Sequence, residues 1–309
     1  MRLFIYRNLK SIIIKMDNYK LSVAIVTRNR PDSLAKTLDS LLSQSIQPYE
    51  IVISDDSNTE NFSALNKTIA DKKGCKYVIG PQKGLYANRN HVVKCCTGTH
   101  IRTMDDDHTF PEGHIDTCMR KIEEDPTSIW IMGEWYPNAA KDSAKPHCPG
   151  EIHPRGFSAY PKDEQNCRAI SCGATIYPRI VIDRNILNIE DFKFGYSYLE
   201  YGCRLRYFGF RIRHLDDTYV YHEYYNNPPS IDDQYEMLDS QVFAMMALSF
   251  IYEPTFKNRF YTIIQLSIGW IRSKTYMQKS ILQNIQRIKR LKKSLESLNE
   301  KKILNYQLL

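Results

Sequence analysis

The feature that most constrains the fold is an alternation of short β-branched runs with amphipathic stretches, which begins at Leu21. It opens with LSVAIVT, which is typical of a strand buried on both faces, followed by RPDSLAKTLDSLLSQ, which has leucines at helical spacing after a Pro-Asp-Ser start signal. The strand pattern recurs in YEIVISDDS, CKYVIG and THIRTM, with helical NFSALNKTIA and YANRNHVVKCC between them. Strands joined by single helices predict an α/β fold with a mostly parallel central sheet.

Polar side chains follow three of these strands at the point where each strand ends. They are Thr27, Arg28 and Asn29 after the first strand, Asp55 and Asp56 after the second, and Asp105, Asp106 and Asp107 after the fourth. Carboxyl ends of parallel strands meet at one edge of a sheet, and ligands bind outside that edge. The three clusters therefore predict one polar pocket.

The acidic triplet, with His108 directly behind it, has two explanations. A solvated turn is the ordinary one. The other is a Mg²⁺ or Mn²⁺ site, because such cations prefer carboxylate oxygens and are commonly held by one or two carboxylates together with phosphate oxygens. Side-chain alternation at a strand end predicts Asp105 and Asp107 on one side, with Asp106 placed differently.

The ordered motifs between Leu21 and about His222 resemble an inverting glycosyltransferase of family 2. That family has the GT-A fold, with a Rossmann-like nucleotide-binding half. The resemblance rests on SVAIVTRNRPDSLAKTLDSLLSQ, IVISDDSNTE, KGLYANRNHVVKCCTGTHIRTMDDDH around the DxD motif, and SCGATIYPR on the acceptor side. It covers about two thirds of the chain.

The resemblance implies transfer of a sugar from a nucleotide-diphosphate sugar, with a UDP-sugar favoured, to a hydroxyl of a glycan or lipid-linked glycan. It implies Mn²⁺ or Mg²⁺ as cofactor. Nucleotide-sugar contacts are implied for Thr27, Arg28, Asn29, Asp55, Asp56, Arg89, Asp105 and Asp106. The implied metal ligands are Asp107, Asp105 and His222.

The catalytic base is where the chain departs from the family. Inversion needs a carboxylate that takes the acceptor proton, and the family commonly supplies it from an acidic pair ahead of an Arg-Leu helix. Ser197 and Tyr198 stand at that pair, and only Glu200 keeps an acid. Glu200 is the favoured base, and Glu190 and Asp191 are the nearest alternatives. A third reading is a protein that binds a sugar nucleotide without transferring it.

Two rival enzyme classes lack their phosphate-binding loops. A dinucleotide-dependent oxidoreductase needs GxGxxG after the first strand, and VTRNRP has no glycine. A sugar-phosphate nucleotidyltransferase would carry a Gly-rich loop with a following Arg and Lys in place of TRNRPDS. Neither class fits this chain.

The predicted organisation is an N-terminal extension (1–19), a GT-A domain (20–227) and a helical C-terminal region (228–309). An amphipathic basic helix is expected over about 277–304. Its apolar stripe is Met277, Ile281, Ile285, Ile288, Leu291, Leu295 and Leu298. Such a stripe docks on its own domain, pairs with another subunit or lies on an anionic membrane.

The net charge of +7 is concentrated in the tail, because residues 271–309 carry ten Lys/Arg and two Glu. We therefore expect no nucleic-acid partner. Eight cysteines without regular spacing indicate reduced thiols, and no apolar run approaches the length of a membrane-spanning helix. The expected location is the cytoplasm, with peripheral contact at the inner face of the membrane as an extension of that hypothesis.

Overall fold

The computed structural model describes residues 19–137, 146–171, 173–223, 230–272 and 276–302, with side chains described to residue 297. Its centre is an eight-stranded sheet with the order β3-β2-β1-β4-β9-β6-β10-β5. The strands of this sheet are β1 (Leu21–Thr27), β2 (Glu50–Asp55), β3 (Lys76–Ile79), β4 (His100–Asp105), β5 (His108–Thr109), β6 (Ile129–Trp135), β9 (Thr175–Pro178) and β10 (Ile212–His222). Strands β1 to β4 are mutually parallel, and β9 is antiparallel to both of its neighbours. The predicted α/β fold with a mostly parallel sheet is confirmed.

Helices cover both faces of the sheet. Those up to the end of β10 are α1 (Pro31–Leu42), α2 (Glu60–Lys72), α3 (Leu85–Cys95), α4 (His114–Glu124), α5 (Ile180–Asp183) and α6 (Ser197–Tyr207). Alternate residues of β1 serve the two layers, because Val23 and Ile25 pack with α1 and α4, whereas Ala24 and Val26 pack with α3 and α6. A strand buried on both faces is apolar throughout, which is why its sequence pattern was easy to identify.

The run FRIRHLDDTYVYH has an Asp-Asp pair in its middle, a pattern that suggests a strand, a turn and a second strand. Its residues Ile212–His222 instead form the single strand β10, whose register on β6 shifts between Leu215 and Tyr219. The intervening residues bulge toward α4, where the Thr218 hydroxyl lies 2.8 Å from His114 Nδ1 and Asp217 pairs with Lys121 at 3.2 Å. These side-chain contacts hold the bulge, so the strand continues past the Asp pair.

A small two-stranded sheet, β7 (Glu151–Ile152) with β8 (Ser158–Ala159), lies outside the main sheet. The seven described cysteines are free thiols. Among the described residues, no helix has the length and apolar character needed to cross a bilayer.

The C-terminal region is helical as predicted, with α7 (Ile231–Ala247), a π-helical turn (Leu248–Tyr252), α8 (Phe256–Arg272) and α9 (Tyr276–Lys302). Helix α9 is the predicted basic helix. Its residues Ile281, Leu291 and Leu295 are buried against the body of the protein. The predicted domain boundary near 227, most of the 1–19 extension, residues 303 and 304 and the Leu298 side chain lie outside the described parts.

Candidate active site

The carboxyl ends of β1, β2 and β4 open into one cleft of about 630 Å³, a size typical of ligand sites. Predicted residues that line it are Thr27, Arg28, Asp56, Asp105, Asp106 and Asp107. Other charged lining residues are Arg30, Lys83, Lys193 and Asp233. The structure thus brings six predicted residues together, and their individual roles stay predictions.

Asp106 is buried and held from two neighbouring segments. The Thr27 hydroxyl donates to its Oδ2 at 2.6 Å, and the Thr37 hydroxyl of α1 donates to its carbonyl at 2.7 Å. Burial raises the pKa of the Asp106 carboxyl to about 7, although the neighbouring Arg30 guanidinium acts in the opposite direction. The first strand and first helix therefore fix the middle of the acidic triplet.

Arg30 bridges two members of the triplet. Its Nη1 lies 2.9 Å from Asp106 Oδ1 and its Nη2 lies 2.8 Å from Asp107 Oδ2. Asp105 instead pairs with Arg89 at 2.5 Å. Arg30 thus gathers the second and third carboxylates, and the expected placement of Asp105 and Asp107 on one side stays a prediction. Arg30 was not among the predicted site residues, although it belongs to the same TRNRP loop as Thr27.

The acidic pair after β2 divides between core and cleft. Asp55 is buried, and its Oδ2 accepts from Asn66 Nδ2 at 2.9 Å and from the Tyr77 hydroxyl at 2.8 Å. Asp56 lines the cleft and accepts the Gln82 backbone N–H at 2.8 Å. Burial raises the pKa of the Asp56 carboxyl. Asp55 therefore braces the strand end, whereas Asp56 faces the cleft.

The remaining predicted contacts differ in exposure. Arg28 is exposed at the cleft. Asn29 adopts a left-handed backbone with φ of 57°, which asparagine tolerates better than most residues, and its N–H donates to the Ser57 hydroxyl at 2.8 Å. Arg89 is buried in α3 and pairs with Asp105. Neither Asn29 nor Arg89 is among the described lining residues of the cleft, and their predicted contacts with the nucleotide sugar stay predictions.

One cluster has the donor set of a metal site. Single ligand atoms of Asp107, His108 and His222 lie within 4.8 Å of one another. Asp107 Oδ1 lies 3.4 Å from His222 Nε2 and 4.0 Å from His108 Nε2. Among the described residues, neither Asp107 Oδ1 nor either nitrogen of His108 has a hydrogen-bond partner. Buried polar atoms without partners are uncommon and call for a ligand.

Glu134 orients His222. Its Oε2 lies 3.0 Å from His222 Nδ1, and a carboxylate can only accept, so Nδ1 carries a proton and Nε2 faces Asp107. Although burial opposes it, the hydrogen bond from His222 lowers the pKa of Glu134 to about 2. Burial lowers the pKa of His108, which keeps that ring neutral. Although burial opposes it, the hydrogen bonds to Asp107 and Glu134 raise the pKa of His222 to about 11. His108 is thus ready to bind a metal, whereas His222 has the carboxylate-oriented ring of a metal ligand but would release its Nε2 proton on binding.

The donor set fits a divalent cation, with one change from the sequence prediction. Asp107 and His222 belong to the cluster as predicted, and His108 joins them. Asp105 is engaged with Arg89 and lies outside the cluster. The adjacency of His108 to the triplet was visible in the sequence, but its direction was not, because the short strand β5 pairs His108 with His222 on β10.

The backbone of Gly173 lies directly against Asp105 and against His108 of the cluster. A Cβ added there would lie 2.4 Å from Asp105 Oδ2 and 2.9 Å from His108 Cε1. Both approaches are shorter than real Cβ contacts. The glycine of the SCGATIYPR segment is therefore required by the close approach of two site residues rather than by its backbone angles.

Glu200 does not reach the cleft. Its side chain is fully buried in α6, where Oε1 lies 3.1 Å from Arg204 Nε and also accepts from the Tyr252 hydroxyl. Of the two alternatives, Glu190 accepts from Asn90 Nδ2 at 2.9 Å and Asp191 pairs with Arg290 at 2.7 Å. None of the three is among the lining residues described for the cleft. The position of Glu200 is that of a structural carboxylate.

This sheet order, with an antiparallel strand inserted and an acidic cleft at its carboxyl edge, is the architecture of the GT-A glycosyltransferases. GalNAc-T7, solved with UDP, GalNAc and Mn²⁺, matches 88% of this chain and 55% of its own with a TM-score of 0.63. S. aureus TarS 1-349 in complex with UDP-GlcNAc matches 87% of this chain and 80% of its own, with a TM-score of 0.57. Both are 17% identical, so the likeness establishes the fold.

The sequence profile described as "Glycosyl transferase family 2" matches residues 22–186, more than half of the chain. The protein belongs to this family. A relative, the uncharacterized glycosyltransferase YwdF of Bacillus subtilis, is 34% identical over 104 residues, which is 34% of this chain and 38% of the relative. Another, the GalNAc(5)-diNAcBac-PP-undecaprenol beta-1,3-glucosyltransferase of Campylobacter jejuni, is 29% identical over 108 residues, 34% of this chain and 35% of the relative. The chain thus spans little more than a third of the length of these relatives.

Proposed function

We propose that the protein is an inverting glycosyltransferase that moves a sugar from a UDP-sugar to a hydroxyl of a glycan or lipid-linked glycan, with a divalent cation. The observation that carries this proposal is that Asp107, one member of the Asp107–His108–His222 cluster, lines the same cleft as the acidic strand ends. The Campylobacter relative is named for an undecaprenol-linked substrate, which supports a lipid-linked acceptor.

The donor diphosphate would lie among the cations of the cleft. Arg28, Lys83 and Lys193 line the same opening as the acidic triplet, and basic side chains favour phosphate oxygens. Asp56 faces this opening, where its carboxylate can accept from the base or ribose. Thr27 and Arg30 reach the same space, and each also holds Asp106.

Asp107, His108 and His222 would hold the cation. When bound, the cation neutralises charge on the departing diphosphate. Arg30 holds Oδ2 of Asp107, which leaves Oδ1, the oxygen nearer His222 and His108, for the cation. Asp105, fixed by Arg89, borders the donor without joining the ligand set.

The proton acceptor has to be a carboxylate that reaches the cleft. Asp233, at the start of α7, is the described carboxylate that lines the cleft outside the strand-end clusters. It also caps its helix, accepting the Ser230 N–H at 3.2 Å. We therefore assign the base to Asp233 in place of Glu200. Asp233→Asn is expected to keep donor affinity while abolishing transfer, and unchanged transfer would eliminate this assignment.

The proposal is tested by thermal shift and calorimetry with a panel of nucleotide sugars, each with Mn²⁺, with Mg²⁺ and with EDTA. The expected result is stabilisation by UDP-sugars that depends on the cation. Indifference of the protein to every nucleotide sugar, with either cation, would refute the donor site.

A second candidate function is sugar-nucleotide binding without transfer. The observation that favours it is the loss of the acidic pair at Ser197 and Tyr198 together with the burial of Glu200. Release of UDP from the donor, measured with and without a glycan acceptor, separates the two. Tight cation-dependent binding without any UDP release would establish the binding protein.

A further inference from the structure

Helix α8 presents its apolar side chains away from the protein. Its exposed large apolar residues are Phe256, Phe260, Tyr261, Ile263, Ile264, Ile268, Trp270 and Ile271. Phe256 is 84% exposed and Ile271 is 75% exposed. Soluble monomers rarely expose contiguous apolar patches this rich in aromatic and branched residues, and such patches mark interaction surfaces.

The inward side of α8 is largely polar, and its contacts fix the orientation of the helix. Asn258 and Thr262 are buried. Asn258 Nδ2 donates to the Glu253 carbonyl at 3.0 Å, and the Thr262 hydroxyl lies 2.7 Å from that of Ser249. Rotating the helix to bury its apolar side would break these bonds and leave polar groups unpaired. The outward apolar face is therefore built into the fold.

We call the outward apolar face of this helix the α8 surface (Phe256–Arg272). The charge of the surrounding sequence indicates what covers it. The sequence from Pro254 to Leu295 contains ten Lys/Arg and no Asp or Glu. Among the described residues, no ion pair involves Lys257, Arg259 or Arg272. A second copy of the same surface would bring cations against cations, whereas anionic phospholipid headgroups complement them.

We propose that the α8 surface lies on an anionic lipid bilayer, parallel to the membrane plane. The apolar residues enter the headgroup–acyl boundary, and Lys257, Arg259 and Arg272 contact the headgroups. Tyr261 and Trp270 have amphipathic rings suited to this depth. The inference rests on the proposed function in one respect, because a lipid-linked acceptor gives the enzyme a reason to meet a bilayer.

The sequence left three roles open for the apolar stripe of α9: docking on its own domain, pairing with another subunit or contact with an anionic membrane. Its Ile281, Leu291 and Leu295 pack on the protein. Helix α9 therefore supports α8, with Met277 beside Gly269, and contributes exposed cations such as Lys292 and Lys293.

The test is cosedimentation of the full chain with phosphatidylcholine vesicles and with vesicles that also contain phosphatidylglycerol. Binding is expected with the anionic vesicles and is expected to weaken as salt rises. Ile271→Ser is expected to lower the vesicle partition coefficient about tenfold, because an apolar side chain no longer enters the bilayer. The matched control is Ile79→Ser on β3, where the side chain is 73% exposed, and it is expected to bind like the native chain.

A charge pair completes the design. Lys257→Gln with Arg259→Gln is expected to reduce binding to anionic vesicles by about tenfold or more, since each cation near such a surface contributes on the order of 1 kcal/mol. Lys67→Gln with Lys72→Gln on α2 is the control and is expected to have no effect. Equal loss in both pairs would mean that net charge alone drives binding, and would overturn the assignment of the surface.

Two other results would also overturn the proposal. The first is recovery of the native chain in the supernatant with both kinds of vesicle. The second is a dimer in sedimentation velocity without vesicles that Ile271→Ser dissociates. Vesicle binding needs no donor, and UDP-sugar affinity is measured on the same samples. Failure of this inference is therefore distinguishable from failure of the proposed function.

Discussion

The cleft and the α8 surface depart in opposite ways from the rule that apolar side chains are buried and charged ones are exposed. In the cleft, charged groups are buried, and partners distant in sequence hold them, as Arg30 holds Asp106 and Asp107. On α8, apolar groups are exposed while Asn258 and Thr262 are buried. Helix α9 follows the ordinary rule more closely, because Ile281, Leu291 and Leu295 of its apolar stripe are buried. Local departures from that rule are typical of functional sites, and each of these two has a chemistry that explains it.

The largest effect is expected for Glu200→Gln, which tests whether the buried carboxylate of Glu200 has a structural or a catalytic role. Glu200→Gln removes the charge that faces the buried Arg204, and breaking a buried ion pair costs about 3 kcal/mol or more of the free energy of unfolding. Urea unfolding measures it. The exposed pair Lys67–Asp71 provides the control, because Asp71→Asn removes a contact worth less than about 1 kcal/mol. Native-like stability of Glu200→Gln with lost transfer would return Glu200 to the role of base.

The next largest effect is expected for Asp107→Asn, which changes a residue of the cation cluster. Asn is a neutral and weaker ligand for a hard cation, so the rate of sugar transfer is expected to fall about 100-fold, equivalent to about 2.7 kcal/mol. Cation-dependent stabilisation by donor should disappear with it. Thermal shift with and without Mn²⁺ is the measurement, and Asp71→Asn again serves as control. A variant that retains the full Mn²⁺ response would place the cation elsewhere.

The two C-terminal helices are compared directly by one pair of substitutions. Leu291→Ala removes a buried side chain of α9, and we expect a loss of about 2 kcal/mol or more in unfolding free energy. Ile271→Ser on α8 is expected to stay within about 0.5 kcal/mol, since its side chain is exposed. Equal losses in denaturant unfolding would show that the α8 surface is covered within the chain itself.

The smallest expected effect probes the packing behind the cluster. Gly173→Ala forces Asp105 and His108 to move, and a displaced ligand is expected to lower the transfer rate about tenfold, as remote misplacement of catalytic groups does. Gly113→Ala adds a Cβ that meets nothing within 4 Å, at a φ of 72° that strains any side chain, so it controls for backbone strain without steric contact. The transfer rate is measured by steady-state kinetics at saturating donor. An unchanged rate for Gly173→Ala would mean that Asp105 and His108 can move without loss of activity.

The sheet was predictable because its signals are local. Strand β1 is buried on both faces and α1 carries its leucines on one stripe, so pattern alone identified both. Topological rules then placed the strand ends at one edge. The resemblance extended this to the family, and the profile match confirms it.

The fine structure of the site was not predictable, because it depends on contacts between distant positions. Asp55 and Asp56 are adjacent, yet Asn66 and Tyr77 draw only Asp55 into the core. Glu200 keeps the spacing of a family acid, but Tyr252 lies 52 residues away and reveals its environment only in the fold. The direction of the α9 stripe was equally undetermined, since periodicity identifies an apolar stripe without saying which way it points.

The guanidinium of Arg30 has a consequence for how the protein matures. Three adjacent carboxylates repel one another at neutral pH, which opposes folding. Arg30 belongs to the same chain and its guanidinium neutralises two of them. With the proposed cation site, the chain would reach its native state in a cell that is short of divalent ions and would become competent for transfer when the ion arrives. Metal starvation would then idle the protein without denaturing it.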